Sequence, residues 1–376
     1  MQIGIDAKRA AFNKVGLGSY SRNLIQNLAR FYPIHQYYLY TPRPFMEAYR
    51  KILGSKNVHA RHPAKELNRL GQWWWLAQHL PRLVADDKVQ LFHGLSHTLP
   101  SGLKCPTVVT MHDLIFLRHP EWFRWHDRLS YASRFKSAAL RSDKIIAISE
   151  TTKKDLIDFY GVPESKIHVT YQPCNENFRP LDLSDDEILA VQKKYNLPSR
   201  FIVCVGTVEP RKNALSVAKA FHNLGAANRD WALVIVGKQT SYAKEIQGFI
   251  SEKGISNIKL VPFVEFDDLV KILNMAKLSV YLPFFEGFGL PVLESMQCGT
   301  PVLTSNVSSL PEVGGKDSAF YADPSNMESI VESLRAALTD TARYNMVKSN
   351  IGRQVELFTP QKTTQAVVDV YKTVVT

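Results

Sequence analysis

The sequence predicts an α/β protein made of two doubly wound, parallel-sheet domains, and three observations carry that prediction. The chain has 376 residues, beyond the roughly 250–300 at which a single hydrophobic core stops growing. Short apolar runs alternate with stretches of helical period from end to end, the pattern of parallel strands joined by covering helices. The alternation pauses at the polar stretch 180–186 and restarts at Phe201, so a linker is placed there. The expected domains are residues 1–178 and 179–359, with a helical tail at about 360–376.

In the first half the apolar runs put strands at 2–6, 36–41, 89–94, 107–113, 144–149 and 166–172. The clearest helix spans 19–32, where Tyr20, Leu24, Leu28 and Phe31 share one face. In the second half strands are expected at 201–206, 231–237, 258–263, 278–283 and 301–304. Neither a short internal repeat nor a low-complexity tract interrupts the series.

Ligands of open parallel sheets bind beyond the carboxyl ends of the strands, and the chemically distinctive residues fall there. Gly16 and Gly18 precede the first long helix, His112 and Asp113 end a strand, Arg211 and Lys212 follow Gly206, and Glu286 follows Pro283. Residues 284–299, FFEGFGLPVLESMQCG, hold the densest cluster. Gly287 and Gly289 permit a tight strand-to-helix turn, Pro291 suits a first helical turn, and Gly299 suits a helix end. A helix start of this kind offers unpaired N–H groups and partial positive charge to a phosphate. Glu294, one turn in, can accept hydrogen bonds from ribose or sugar hydroxyls.

This segment resembles the Glu-x7-Glu motif of the retaining nucleotide-sugar glycosyltransferases of family 4. The loop VGTVEPRKN at 205–213 and the Met111-His112-Asp113 strand end are similar to further motifs of that family, in the same order. The resemblance implies the GT-B fold, two Rossmann-like domains facing an interdomain cleft, with the C-terminal tail packed back on the first domain. It implies an acceptor-binding first domain and a donor-binding second one. Glu286 then contacts the donor sugar's hydroxyls and Glu294 the ribose, while Lys212 and its basic neighbour hold the diphosphate. The glycine loop at Gly16 and Gly18 approaches the donor phosphate, and His112 lies close to the donor sugar. The backbone around Phe288 to Leu290 adds N–H groups at the leaving phosphate. The chain departs from the family pattern at Thr207, where many relatives carry Arg, and Arg211 is expected to supply that charge.

Bland readings stand beside these. Gly16-x-Gly18 lacks the third glycine of a dinucleotide fingerprint and equally suits a plain loop. His112 can be a satisfied structural histidine, and Asp113 can cap the next turn. Arg211 and Lys212 can be an exposed charge pair. His93 and His97 either approach the acceptor or shape a loop. Of Trp73, Trp74 and Trp75, adjacent residues on a helix that cannot share a face, at least one belongs to the core.

Charge is uneven. Residues 1–180 carry 26 Lys and Arg against 14 Asp and Glu, whereas residues 181–376 carry 20 against 21. A basic first half suits anionic lipid head groups or a lipid-diphosphate acceptor, and it also suits a solvated surface. No zinc-finger, basic-zipper or ribonucleoprotein pattern supports nucleic acid. No Asp-x-Asp or His/Cys metal spacing is present, so no metal or other cofactor is expected beyond the nucleotide-sugar co-substrate. The four scattered cysteines read as free thiols. With no leader-like start and no long apolar run, the protein is expected in the cytoplasm, with peripheral association on the membrane's inner face as the reading the basic half suggests. The reading is a hexosyltransferase, with mannose preferred, that moves sugar from a nucleotide diphosphate to a glycan or lipid-linked acceptor in surface polysaccharide synthesis. The alternatives are a nucleotide-sugar-binding partner subunit without its own activity, or a glucan synthase-like enzyme.

Overall fold

The computed structural model describes residues 1–14, 16–63, 71 and 74–375. The chain divides into two compact units, residues 1–173 with 359–376, and residues 174–358. The break thus lies at Pro173–Cys174, five residues before the position read from sequence. Among the described residues no helix is long and apolar enough to cross a membrane.

The first unit is built on β1 (Gln2–Asp6), β2 (Gln36–Tyr40), β3 (Val58–Arg61), β4 (Leu91–Gly94), β5 (Thr107–Met111), β6 (Lys144–Ala147) and β7 (Ile167–Val169). Their order across the sheet is β3-β2-β1-β4-β5-β6-β7, every neighbouring pair parallel. The second unit contains β8 (Phe201–Val205), β9 (Ala232–Val236), β10 (Ile258–Val261), β11 (Ser279–Tyr281), β12 (Val302–Ser305) and β13 (Phe320–Ala322). They run β10-β9-β8-β11-β12-β13, again all parallel. Central strands such as β5 and β9 are buried along their whole length, which is why they read as unbroken apolar runs.

Two strands escape the sequence reading, β3 and β13, and both are sheet edges. An edge is covered less completely, so Val-His-Ala-Arg carries no apolar run, and three residues of β13 are too few to show a period. The stretch read as a linker ends as a helix start: Ser184 and Glu187 form a reciprocal capping box for the helix Asp185–Tyr195.

The helix Leu17–Phe31 buries Tyr20, Leu24 and Leu28 as its periodicity predicts, while Phe31 is only half-buried and Ile25 and Ala29 complete the face. The C-terminal helix Pro360–Lys372 belongs to the first unit, where Val367, Val368 and Tyr371 join a core with Ile3, Leu24 and Val108. Trp75 is buried and Trp74 exposed; Trp73 lies outside the described residues. All four cysteines are free thiols.

Candidate functional site

In the second unit β8 and β9 end on Gly206 and Gly237. A Cβ on Gly237 would lie 2.0 Å from the Gly206 carbonyl oxygen, so only glycine lets these two strand ends touch. The loop after β8 is then tied down. Val208 N donates to Lys238 O at 2.9 Å, and Thr240 Oγ1 donates to Val208 O at 2.5 Å. Asn213, in the left-handed region at φ 61°, closes the turn Pro210–Lys212 and donates through Nδ2 to Pro324 O at 2.9 Å. Arg211 and Lys212 therefore sit on a pinned turn rather than a loose loop.

The turn after β11 is held just as closely. Phe284 N donates to Arg211 O at 3.1 Å, which joins the two segments directly. Ser309 Oγ reaches both Glu286 O at 2.9 Å and Phe288 O at 2.7 Å. Glu286 N donates to Ser308 Oγ at 3.2 Å. Gly287 is buried, and Phe288 packs edge-to-face on Phe358 with ring centroids 5.8 Å apart. Gly289, at φ 117°, opens the helix Leu290–Gln297, and a Cβ there would strike Leu310 Cδ2 at 2.6 Å.

These two turns bring Arg211, Lys212 and Glu286 together, and three side-chain donors converge on one oxygen. Glu286 Oε1 accepts from Arg211 Nη1 at 2.8 Å, from Tyr281 Oη at 2.8 Å and from Lys212 Nζ. Arg211 Nη2 also donates to Glu209 at 2.8 Å, and Lys212 Nζ donates to Tyr281 Oη at 2.5 Å. Burial of Glu286 would raise its carboxyl, but Lys212 and Arg211 outweigh it and hold the group below its ordinary value. No hydrogen bond reaches Oε2 among the described residues, so a fixed carboxylate keeps one accepting oxygen open. Tyr281 and Glu209 were not among the expected site residues; nothing in the spacing marks a strand tyrosine as polar.

Glu294 lies on the helix Leu290–Gln297, and its carboxylate makes neither hydrogen bond nor ion pair among the described residues. Burial pushes its carboxyl up to about 7. A buried acid without a partner is costly.

The first unit places its candidate residues differently. His112 is buried; its Nε2 donates to Leu95 O at 2.9 Å and its Nδ1 accepts from Gln172 Nε2 at 3.3 Å. Its ring also meets Tyr20 edge-on at 4.6 Å. His93 is fully buried, with Nδ1 bonded to Tyr371 Oη at 2.6 Å and Nε2 to Thr110 Oγ1 at 2.8 Å. Burial lowers His112 to about 4 and His93 to about 3, so both rings are neutral. His93 joins the sheet core to the C-terminal helix with both ring nitrogens engaged, which favours the structural one of its two sequence readings. Gly16 begins the helix Leu17–Phe31 at φ 56°, and a Cβ on Gly18 would fall 2.1 Å from Asn13 O. A left-handed backbone thus accounts for Gly16, and close packing for Gly18.

Asp113 accepts from Ile115 N at 3.2 Å, a short turn at the end of β5. It also lines a cavity of about 700 Å³ at the carboxyl ends of β1, β4 and β5. Asp6, Arg9, Arg134 and Arg141 line the same cavity, with Phe116, Tyr131 and Phe135 as an aromatic wall. His97, at φ 61°, stacks on Phe135 at 4.2 Å. Asp6 and Arg9 escaped the sequence reading although Asp6 ends β1, the same strand-end position that singled out Asp113.

Comparison with known proteins fits this geometry. Residues 15–178 match the family model Glycosyltransferase Family 4, and residues 185–354 match Glycosyl transferases group 1. O-antigen chain mannosyltransferase B of Escherichia coli is 29% identical, over 99% of this chain and 100% of that protein. Serotype-specific mannosyltransferase WbdA of Escherichia coli is 32% identical over 74% of this chain, which spans only 35% of that longer protein. Anabaena Alr3699/HepE, solved in complex with UDP-glucose, superposes with a TM-score of 0.76 at 17% identity, over 99% of each chain. The two sheets are thus the two Rossmann-like domains of the GT-B fold, and the chain belongs to the glycosyltransferases, with a family 4 first half and a group 1 second half.

Proposed function

We propose that the protein transfers a hexose from a nucleotide-diphosphate sugar to a glycan or lipid-linked acceptor, with retention of anomeric configuration, in the synthesis of a surface polysaccharide. The observation that carries this reading is the convergence of Arg211, Lys212 and Tyr281 on Glu286 Oε1, which leaves Oε2 for a sugar hydroxyl beside two cations. Mannose is the sugar suggested by the names of the O-antigen relatives.

Breaking the anomeric C–O bond places positive charge on the sugar ring and negative charge on the departing diphosphate. Fixed positive groups lower that barrier most. Lys212 carries three N–H donors and spends two on Tyr281 and Glu286, so the third serves a phosphate oxygen. The amides around Phe288 to Leu290 and the helix start add partial positive charge. Glu286 Oε2 orients the sugar, and Glu294 accepts from the ribose. Cations built into the chain do the work that a metal ion does in other sugar transferases, so the transfer proceeds without one. For retention, the leaving phosphate takes the acceptor's proton on the face it vacates.

The acceptor belongs to the first unit, in the cavity bounded by Asp6, Asp113 and Arg134. The basic character of residues 1–180 suits an acceptor displayed at an anionic membrane surface.

The test is a panel of nucleotide sugars, read by thermal shift and by slow donor hydrolysis, followed by transfer assays with and without EDTA. Stabilisation and turnover by one donor in the presence of chelator is the expected result. Binding of a donor without hydrolysis or transfer would instead favour a partner subunit. Activity abolished by EDTA and restored by Mg²⁺ or Mn²⁺ would overturn the metal-free mechanism.

A further inference from the structure

Tyr281 ends β11 and lies 2% exposed beneath the carboxylate–cation cluster. Its backbone is fixed by pairing with Thr304 of β12, and Thr304 Oγ1 donates to its carbonyl at 2.8 Å. Its ring packs beneath Lys212, whose Nζ is 5.2 Å from the centroid. The hydroxyl lies between Lys212 Nζ at 2.5 Å and Glu286 Oε1 at 2.8 Å. Chemistry fixes the direction of both bonds. An ammonium can only donate and an ionised carboxylate can only accept, so the phenol accepts from Lys212 and gives its own proton to Glu286.

A carboxylate held by two flexible cations alone can rotate about its last bond and exchange its oxygens. A third donor on a rigid strand removes that freedom, because a strand-end aromatic buried on all sides cannot follow the carboxylate. From this geometry we infer that Tyr281 is a positioning residue, which locks Glu286 with Oε1 engaged and Oε2 kept for a hydroxyl of the donor sugar, and which holds Lys212 alongside. The identity of the ligand rests on the function proposed above; the lock itself is a property of the ligand-free protein. Burial holds the phenol proton firmly, its pKa lying well above the ordinary tyrosine value, so the hydroxyl remains a donor throughout the working pH range.

The decisive variant is Tyr281→Phe, which keeps the ring under Lys212 and removes only the hydroxyl. Two readouts are needed. The first is turnover: kcat for sugar transfer should fall by about 10- to 100-fold, the usual consequence of a loosened reacting geometry, while Kd for UDP or GDP, whichever the wild type binds, stays within about threefold. Restoration of kcat by 3-fluorotyrosine at position 281, which returns a hydroxyl, completes this arm. The second is independent of activity: titration of the Glu286 carboxyl by ¹³C NMR in ligand-free protein. The groups facing that carboxyl are Arg211, Lys212 and Tyr281, with Glu209 beyond Arg211. The variant removes the Tyr281 donor to Glu286 and the acceptor it offers Lys212, loosening both, so the Glu286 midpoint should move upward. An unmoved midpoint overturns the lock, as does an unchanged kcat in a protein that transfers sugar. If the wild type transfers sugar from no nucleotide donor, the functional reading fails and the titration alone decides the lock.

Discussion

The two units share a sheet architecture and treat polar residues at their strand ends in opposite ways. In the first, His93 and His112 spend both ring nitrogens on protein partners and stay neutral inside the core. In the second, two cations and a tyrosine gather on one carboxylate oxygen, while Glu286 Oε2 and the Glu294 carboxylate are left without partners among the described residues. The first unit uses strand-end chemistry to hold itself together, and its cavity is drawn from at least five separate segments. The second concentrates charge there and keeps one carboxylate oxygen unspent. Polarity at a strand end is therefore no sign of function by itself; an unspent oxygen or N–H is.

The largest effect that could break this comparison is on turnover. Lys212→Ala and Arg211→Ala should each lose about 10²–10³ in kcat, on the order of 3–4 kcal/mol of transition-state stabilisation. Both should melt close to wild type, since they end a turn whose backbone is pinned elsewhere. Steady-state kinetics on the donor found by screening decides it. Near wild-type turnover in both variants would reduce the cluster to a structural ion pair.

Next in size is an opposite response to acid. The histidines' folded values lie below the unfolded value near 6.5, so their stabilisation is complete above that pH and is lost as pH falls toward their folded values. Between pH 6.5 and 5 this costs the first unit about 2 kcal/mol per histidine. Glu294 is raised from 4.5 to about 7, so its contribution runs the other way: stability is fully present below 4.5 and is lost as pH rises toward 7. Going from pH 7 to 5 returns about 2–3 kcal/mol to the second unit. Hydrogen exchange followed by mass spectrometry, corrected for intrinsic rates, should show β4 and β5 less protected at pH 5 and the helix Leu290–Gln297 no less protected. Glu294→Gln should flatten the second trend and leave the first. Parallel movement of both units would refute the assignment.

A smaller effect sharpens the division between the two open carboxylates. Glu294→Ala should weaken binding of the bare nucleoside diphosphate by about tenfold, the worth of one hydrogen bond to a charged group. Glu286→Ala should leave that affinity nearly unchanged and reduce turnover. Calorimetry separates them, and equal losses of affinity would remove the distinction.

The same contrast explains what was legible in the sequence. Central strands could be read because burial on both faces demands unbroken apolar runs, as in Ala232–Val236; β3 could not, because a half-covered strand relaxes that demand, nor could β13, whose three residues are too few to show a period. The carboxylate–cation cluster could be read because Arg211, Lys212 and Glu286 each sit within a few residues of a glycine turn. Tyr281 could not, since a buried strand tyrosine looks apolar until its hydroxyl partners are located. Asp6 was missed although it obeys the rule that found Asp113. His93 stayed open between two readings because its partner, Tyr371, is 278 residues away.

The smallest expected effect concerns the charge excess that only the first half carries. Its helix Trp125–Arg141 exposes Trp125 and Leu129 together with Arg134 and Lys136, and Arg124 stands exposed at its start. Arg128, by contrast, is half-buried, so it is a poor partner for a surface. Indole rings favour the membrane interface, and each cation near an anionic surface contributes about 1 kcal/mol. The expectation is reversible binding through this helix. Flotation with liposomes should show recovery that rises with anionic lipid and weakens as salt shortens the screening length to about 10 Å at 0.1 M. Arg124→Glu, Arg134→Glu and Lys136→Glu should each lower recovery by a few-fold, and Trp125→Ala should lower it even at low salt, because its contribution is not electrostatic. Charge reversals on the second unit's surface should change nothing. Equal recovery on neutral and anionic liposomes at low salt would return the basic half to a plain solvated surface, and the asymmetry between the units would then be one of hydration alone.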